Sequence, residues 1–307
     1  FDSPVVATSH DSGVGLSETG SMLAGSGAGG AEAGPVFAGL PGGLHRLVDA
    51  LAAQLRARGV TIRADTVVRE LQPVPETDLW QLVTGPVPNP TGYLAERVVL
   101  ALPPAPAGRL LQPHAPVAAA RLQRVPTASM AVVTLALPAA ATPELPGSGL
   151  LVPPVEGRTV KAATFSAGKW DWVREAGRGA APGGGDLLLL RASVGRHREE
   201  AALQHDDGEL VHRVLHDLGD LVGAPIPHPV DSHVQRWGGA LPQYPVGHPA
   251  VVAEVLTEVA GLAGVEVAGA AYQGVGVPAC IGSGRAAARR AAGLDADGDS
   301  DRGVDPG

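Results

Sequence analysis

The stretch richest in chemical possibility is V-A-G-A-A-Y-Q-G-V-G-V-P-A-C-I-G-S-G, residues 267–284. Gly269, Gly274 and Gly276 let a ligand approach the backbone closely, and an apolar helix is expected from Cys280. The amide groups and positive dipole end of such a helix suit an anion or the polar edge of a ring. The same glycines suit a tight turn in a packed α/β unit, so spacing alone leaves both readings open. Gly25 to Gly30 also satisfies G-x-G-x-x-G. It lacks a preceding strand and a following apolar helix, and is not read as a dinucleotide loop.

Arg191 interrupts the apolar run Leu187–Val194. A buried guanidinium is costly unless paired, so it should meet a local acid or a substrate anion. Trp237, in R-W-G-G-A-L-P-Q-Y, either covers a flat ring or packs in a core. His205, Glu209, His212 and His216 line one helical face, but Arg213 stands where the glutamate of H-E-x-x-H belongs. That face reads as solvated, and no metal site is expected. The alternation Asp295, Asp297, Asp299, Asp301 lacks the glycine and closing glutamate of a calcium loop. There is no G-x-S-x-G, and the single cysteine, Cys280, reads as a packed thiol, which removes the hydrolase readings. No catalytic acid or base is identifiable.

Composition bounds the rest. The chain has 307 residues, 45% of them apolar, which is enough for a real core. A net charge of −8 argues against nucleic-acid binding and against charge-driven adhesion to an anionic bilayer. One cysteine excludes a disulfide framework and fits a reducing compartment, so the expected location is cytoplasmic, either free or peripheral to the membrane. The long uncharged stretches 125–143 and 267–284 are broken by prolines and glycines and are not read as membrane spans.

The elements that must position these residues follow from periodicity. Leu44, Leu47, Val48, Leu51 and Leu55 predict an amphipathic helix over 43–58, ended by Gly59. Strands are expected at Val60–Ile62, Val67–Leu71, Leu79–Val83 and Arg97–Leu102, the last closed by Pro103-Pro104. Residues 105–245 read as an α+β insert. Its strands are Met130–Leu137, Leu150–Val152, Thr159–Phe165, Leu187–Val194 and His233–Trp237, and its helices Pro116–Arg124 and Asp207–Val222. Gly177–Gly185 should be a surface loop. Helix Pro249–Leu262, strand Val265–Ala268 and helix Cys280–Ala292 complete the order. Residues 1–33 are expected to be a disordered lead-in, and 294–307 an acidic tail.

The segments GPVFAGLPGGLHRL, RVVLALPPAPAGRLL, ASMAVVTLAL, LPGSGLLVP, VKAATFSAGKW, LLLLRASVGR, RWGGALPQYPVGH and VAGAAYQGVGVPACIGSGRAAA occur in this order. Together they resemble the flavin-dependent protoporphyrinogen/coproporphyrinogen oxidases of the FAD-linked amine oxidase superfamily. ASMA, VKAATFS and LPQY-x-VGH are closest in wording to the actinobacterial coproporphyrinogen III oxidases. The resemblance implies an α/β plus α+β fold: a Rossmann-like FAD domain of the glutathione-reductase type, from 34–104 and 246–293, with a mixed-sheet substrate domain, 105–245, inserted. It implies haem-biosynthetic oxidation of a porphyrinogen to a porphyrin, with FAD as cofactor and dioxygen as acceptor.

Carried over residue by residue, the resemblance implies that Val68 meets the adenine end and Trp237 lies beside the flavin. Val275, Gly276 and Val277 would border the isoalloxazine, with Ala270 and Gly274 also in contact. Gly149, Leu151 and Arg191 would face the substrate, Arg191 pairing with a propionate. Thr127 departs from the family's usual aromatic. The family also opens with a strand–GxGxxG–helix unit and a region that contacts membrane or covers substrate. The text of this chain is expected to start beyond them. Two other readings stay open: an inactive fragment or porphyrin-binding remnant, and another FAD-dependent amine-oxidase-type enzyme.

Overall fold

The computed structural model describes residues 7–8 and 38–294. The expected disordered lead-in (beyond Ala7–Thr8), the Gly25–Gly30 match and the acidic tail after Leu294 lie outside the described residues. Strand β1 (Ala7–Thr8) pairs antiparallel with β2 (Ala38–Gly39). Helix α1 (His45–Ala57) follows, rich in strong helix formers, and Gly59 at φ +80° ends it. Its apolar stripe is not buried: Leu44, Leu47, Val48 and Leu51 are all exposed. Periodicity located the helix, but it does not say which face is covered. Val60–Ile62, expected as a strand, is irregular exposed chain.

Strands β3 (Val68–Pro73), β4 (Trp80–Thr84) and β5 (Thr91–Ala95) form an antiparallel meander. Leu71 and Trp80 are buried on one face, while Glu70 and Gln72 on β3 are exposed. Strand β6 (Val98–Leu100) precedes helix α2 (Pro104–Leu111). The second proline of the Pro103-Pro104 pair is the first residue of α2 rather than the end of a strand, because its missing N–H is unneeded there. Helix α3 (Pro116–Gln123) begins the same way. The long strand β7 (Thr127–Pro138) then alternates half-buried and buried residues from Met130 onward.

Next come β8 (Gly149–Leu151), β9 (Val160–Thr164), the short helices α4 (Ser166–Lys169) and α5 (Asp171–Ala176), and β10 (Leu187–Val194). Helix α6 (Asp207–Val222) is capped by the Asp206 side chain, which accepts the Glu209 amide at 2.8 Å. Strand β11 (Asp231–Pro242) is longer than expected, running on through Gly238-Gly239. Helix α7 (His248–Val259), strand β12 (Val265–Val267) and helix α8 (Val277–Ala291) complete the order.

Contacts divide the chain into two units. One comprises residues up to Ile62 together with Met130–Trp237, the other Arg63–Ser129 together with the chain from Gly238. In the first, the sheet order is β11-β7-β10-β9-β8. Its core joins Val133, Leu135, Leu137, Leu190 and Val194 of the sheet to Leu210, Val214 and Leu218 of α6. Each such fully buried side chain contributes roughly 1.5–3 kcal/mol.

In the second unit, β6 and β12 pair in parallel, Val98 opposite Val265 and Leu100 opposite Val267. Around them pack Leu71 and Trp80 of the meander, Leu110, Leu111 and Leu122 of α2 and α3, and Val255 and Val259 of α7. The Trp80 indole N–H donates to the Ala263 carbonyl at 2.7 Å. This grouping does not follow the expected 104/105 and 245/246 boundaries. Residues 105–129 sit with the meander because the buried faces of α2 and α3 are covered by β3 and α7.

Candidate functional site

The glycine-rich turn lies between β12 and α8, in the second unit. Its start is tied down twice: the Ala268 amide donates to the Leu100 carbonyl at 3.2 Å, and the Gly269 amide to Ser283 Oγ of α8 at 3.1 Å. Gly269 and Gly274 have φ of +126° and +141°, a region that L side chains avoid. A Cβ on Gly274 would stand 2.9 Å from the Ala279 Cβ, so a side chain there would have to displace α8.

Helix α8 starts at Val277, three residues earlier than expected, with Gly276 as its cap and Pro278 in its first turn. The candidates Gly274, Val275 and Gly276 therefore form the approach to the helix, and Val277 is its first residue. Cys280 is half-buried rather than packed away, with Sγ 3.8 Å from the Gly274 carbonyl.

The turn uses its carbonyls internally. That of Gly269 accepts the Tyr272 amide at 3.4 Å, and that of Gly276 accepts the Cys280 amide at 3.0 Å. The Ala270 carbonyl accepts the Tyr244 hydroxyl, and the Ala271 carbonyl lies 2.8 Å from His248 Nε2. The amides of Gln273, Val275, Gly276 and Val277, all on exposed residues, have no acceptor among the described residues. A turn in which the carbonyls of Gly269, Ala270, Ala271 and Gly276 already accept hydrogen bonds, while four exposed amides remain free, offers donors to a ligand edge made of carbonyls, imino nitrogens or phosphate oxygens. Val275 and Val277 add exposed apolar surface beside those donors.

Two tyrosines flank the turn. Burial raises the Tyr244 phenol above its ordinary value, with the Gly274 amide pulling the other way. Tyr272 is buried, its hydroxyl has no hydrogen-bond partner among the described residues, and desolvation pushes its phenol far up, so it stays neutral. Val68, the first residue of β3 in the same unit, is half-buried at a point where the ladder with β4 shifts register.

The other candidates belong to the first unit. Gly149 and Arg191 both pair with Thr164 of β9, from β8 and β10 respectively. Leu151 lies two residues beyond Gly149, and cross-strand partners share a face. Gly149, Leu151 and Arg191 are thus brought together on one side of the sheet. That side is the open one: Leu190, Ala192 and Val194, which alternate with Arg191, are buried, whereas Arg191 is exposed. The expected buried guanidinium is therefore corrected. Strand alternation turns Arg191 away from the core, and no acid among the described residues pairs with it. Trp237, on β11, is 51% exposed, which excludes a packed core tryptophan.

On α6, Glu209 pairs with Arg213 at 2.7 Å, and His216 lies 3.7 Å from Asp220. Among the described residues no group of His, Cys, Asp or Glu could hold a metal ion. None of their helices is long and apolar enough to cross a membrane.

The family model for flavin containing amine oxidoreductases matches residues 9–292. The chain belongs to this family. It is 38% identical over 272 residues to the coproporphyrinogen III oxidase of Mycobacterium tuberculosis H37Rv, covering 86% of this chain and 52% of that one. The Mycobacterium leprae protein of the same name is 38% identical over 253 residues, covering 81% and 50%. This chain therefore spans about half the length of the curated relatives it matches. Among solved structures, it superimposes on a proposed protoporphyrinogen oxidase from Exiguobacterium sp. 255-15 with a TM-score of 0.69 at 29% identity, over 81% of this chain and 51% of that one. Cyclohexylamine oxidase from Brevibacterium oxydans IH-35A, at 19% identity and a TM-score of 0.56, shares the fold; 86% of this chain and 55% of that one are covered.

Tyr244 and His248 were legible only as part of the LPQY-x-VGH wording, with no role attached. Their spacing of four across a proline and a glycine was the available signal.

Proposed function

We propose that the protein is an FAD-dependent porphyrinogen oxidase of haem biosynthesis, acting on coproporphyrinogen III with dioxygen as acceptor. The observation that carries this reading is the turn with free, exposed amides at Gln273, Val275, Gly276 and Val277. That donor set fits the polar edge of a flavin, and the constraint against a Cβ at Gly274 fits a backbone held close to a ligand. When bound, FAD supplies the two-electron oxidant that the side chains lack.

The chain's own residues bind and orient. The amides of Gln273, Val275, Gly276 and Val277 donate to the ring edge, while Ala270 and Gly274 shape the turn. Val68 offers its backbone to the adenine end, and Trp237 supplies a flat apolar surface. Gly149 and Leu151 contribute an open face against which the macrocycle can lie, and Arg191 supplies an unpaired guanidinium for a propionate. Coproporphyrinogen, with its several propionates, fits that face better than a neutral amine would. The 38% identity to proteins named coproporphyrinogen III oxidase supports the same choice. The reading takes the protein as cytoplasmic.

The test is direct. The purified protein, incubated with FAD and then freed of unbound FAD by gel filtration, is expected to retain visible flavin absorption and to form porphyrin from coproporphyrinogen III in air faster than a protein-free control. Protein that stays colourless with FAD and leaves the porphyrinogen unoxidised would overturn the reading.

A further inference from the structure

Tyr244 and His248 do something the proposed function does not require them to do. Their rings stack face to face, with centroids 4.2 Å apart and planes within 8°. From that stack each reaches one of two successive carbonyls of the turn: Tyr244 donates its hydroxyl to Ala270, and His248 Nε2 stands 2.8 Å from the Ala271 oxygen. A carbonyl accepts only, so Nε2 carries the proton and the tautomer is fixed. His248 is buried and opens α7 directly after Gly247, whose φ of +86° turns the chain into the helix. The pair is therefore anchored to a helix, and the turn is anchored to the pair.

We propose that Tyr244 and His248 are positioning residues for the ligand-facing turn, holding the Ala270 and Ala271 carbonyls inward so that the following amides point toward the cofactor. This rests on the reading of the turn as a flavin site, but its first consequence is independent of flavin. With both carbonyls released, the peptide planes of the turn can rotate, and Gly274 with its permissive backbone is where that freedom would reach. The Gly274 carbonyl is the one that Cys280 Sγ contacts, and Cys280 is the chain's single cysteine. The thiol is thus a built-in reporter of the turn.

The experiment measures the rate of Cys280 alkylation by iodoacetamide in the full chain, with and without FAD. It compares wild type, Tyr244→Phe, which keeps the stacked ring, His248→Ala, and His248→Gln, whose amide can still donate. Losing one hydrogen bond that closes the turn should raise the FAD-free rate about fivefold in Tyr244→Phe and His248→Ala. His248→Gln should return toward the wild-type rate. FAD should slow alkylation in the wild type, and the visible flavin spectrum should shift in Tyr244→Phe. Wild-type alkylation rates in folded Tyr244→Phe and His248→Ala would overturn the positioning role. Accelerated alkylation in the variants, with no slowing by FAD in any protein, would instead overturn the flavin reading and reduce the pair to a local constraint of the fold.

Discussion

Arg191 and Gly149 face the same residue, Thr164, from the two strands that flank β9. A candidate propionate partner and a candidate contact for the macrocycle therefore lie in one row of the open sheet face, although 42 positions separate them in sequence. Two positive-charge roles are available to Arg191, structural pairing and ligand pairing, and its exposure without a neighbouring acid removes the first.

Arg191→Ala is accordingly expected to raise KM for coproporphyrinogen about tenfold, the scale of one charge-assisted hydrogen bond. Stability should change by less than about 0.5 kcal/mol, as for other surface replacements. Steady-state kinetics beside a thermal melt checks both. An unchanged KM would leave the guanidinium with solvent.

Gly149 has a second reason to be glycine. A Cβ there would fall 2.3 Å from the Ala163 carbonyl oxygen, inside the β8–β9 ladder. Gly149→Ala should therefore destabilise the protein by about 1–3 kcal/mol, the range for overpacking a tight site. The midpoint of urea unfolding reads this. A wild-type midpoint would show that β8 can shift at no cost.

Helix α3 begins with proline and has no side-chain cap of its own. Glu258 of α7 takes that role: its carboxylate accepts the Val117 amide at 3.3 Å and the Ala118 amide more closely. Glu258→Ala should lower stability by about 1 kcal/mol, as for loss of a helix cap, and Glu258→Gln by less. Thermal unfolding of the two variants gives the ordering.

Asp220 provides a pH signature. The hydrogen bond from Arg158 holds its carboxyl below the ordinary value of 3.8, and the positive charges of His216 and Arg158 act in the same direction. A carboxyl whose folded value is depressed contributes its stability above the unfolded value and loses it as pH falls toward the folded one. Asp220→Asn should therefore be less stable than wild type at neutral pH, with the difference shrinking as pH falls below 3.8. Denaturant unfolding across that window tests it, and a constant difference would exclude the linkage.

How much was readable from sequence depends on what each signal encodes. Leu187–Val194 was placed at its observed ends because an apolar run bounded by turn residues marks a strand closely. Residues 43–58 were read as a helix, and α1 spans nearly that length, yet the leucine stripe lies exposed. Periodicity reports which side chains share a face and says nothing about what covers it. Helix α2 is not legible in the sequence because Pro103-Pro104 resembles a stop, whereas proline is also a good first helical residue. Strand β5, with Gly92 as its second residue, shows no apolar alternation. The turn at 267–284 was found from its glycines. The clamp on it from Tyr244 and His248, more than twenty residues earlier, is a tertiary fact that no local pattern carries.

The exposed amides of Gln273, Val275, Gly276 and Val277 are the proposed contacts of a flavin. Hydrogen–deuterium exchange of the full chain, followed peptide by peptide with and without FAD, measures those donors themselves. Binding at this turn predicts that FAD slows exchange at Gln273, Val275, Gly276 and Val277, amides that have no acceptor among the described residues. Unchanged exchange across 268–280 in protein shown to bind FAD would place the cofactor elsewhere and contradict the account.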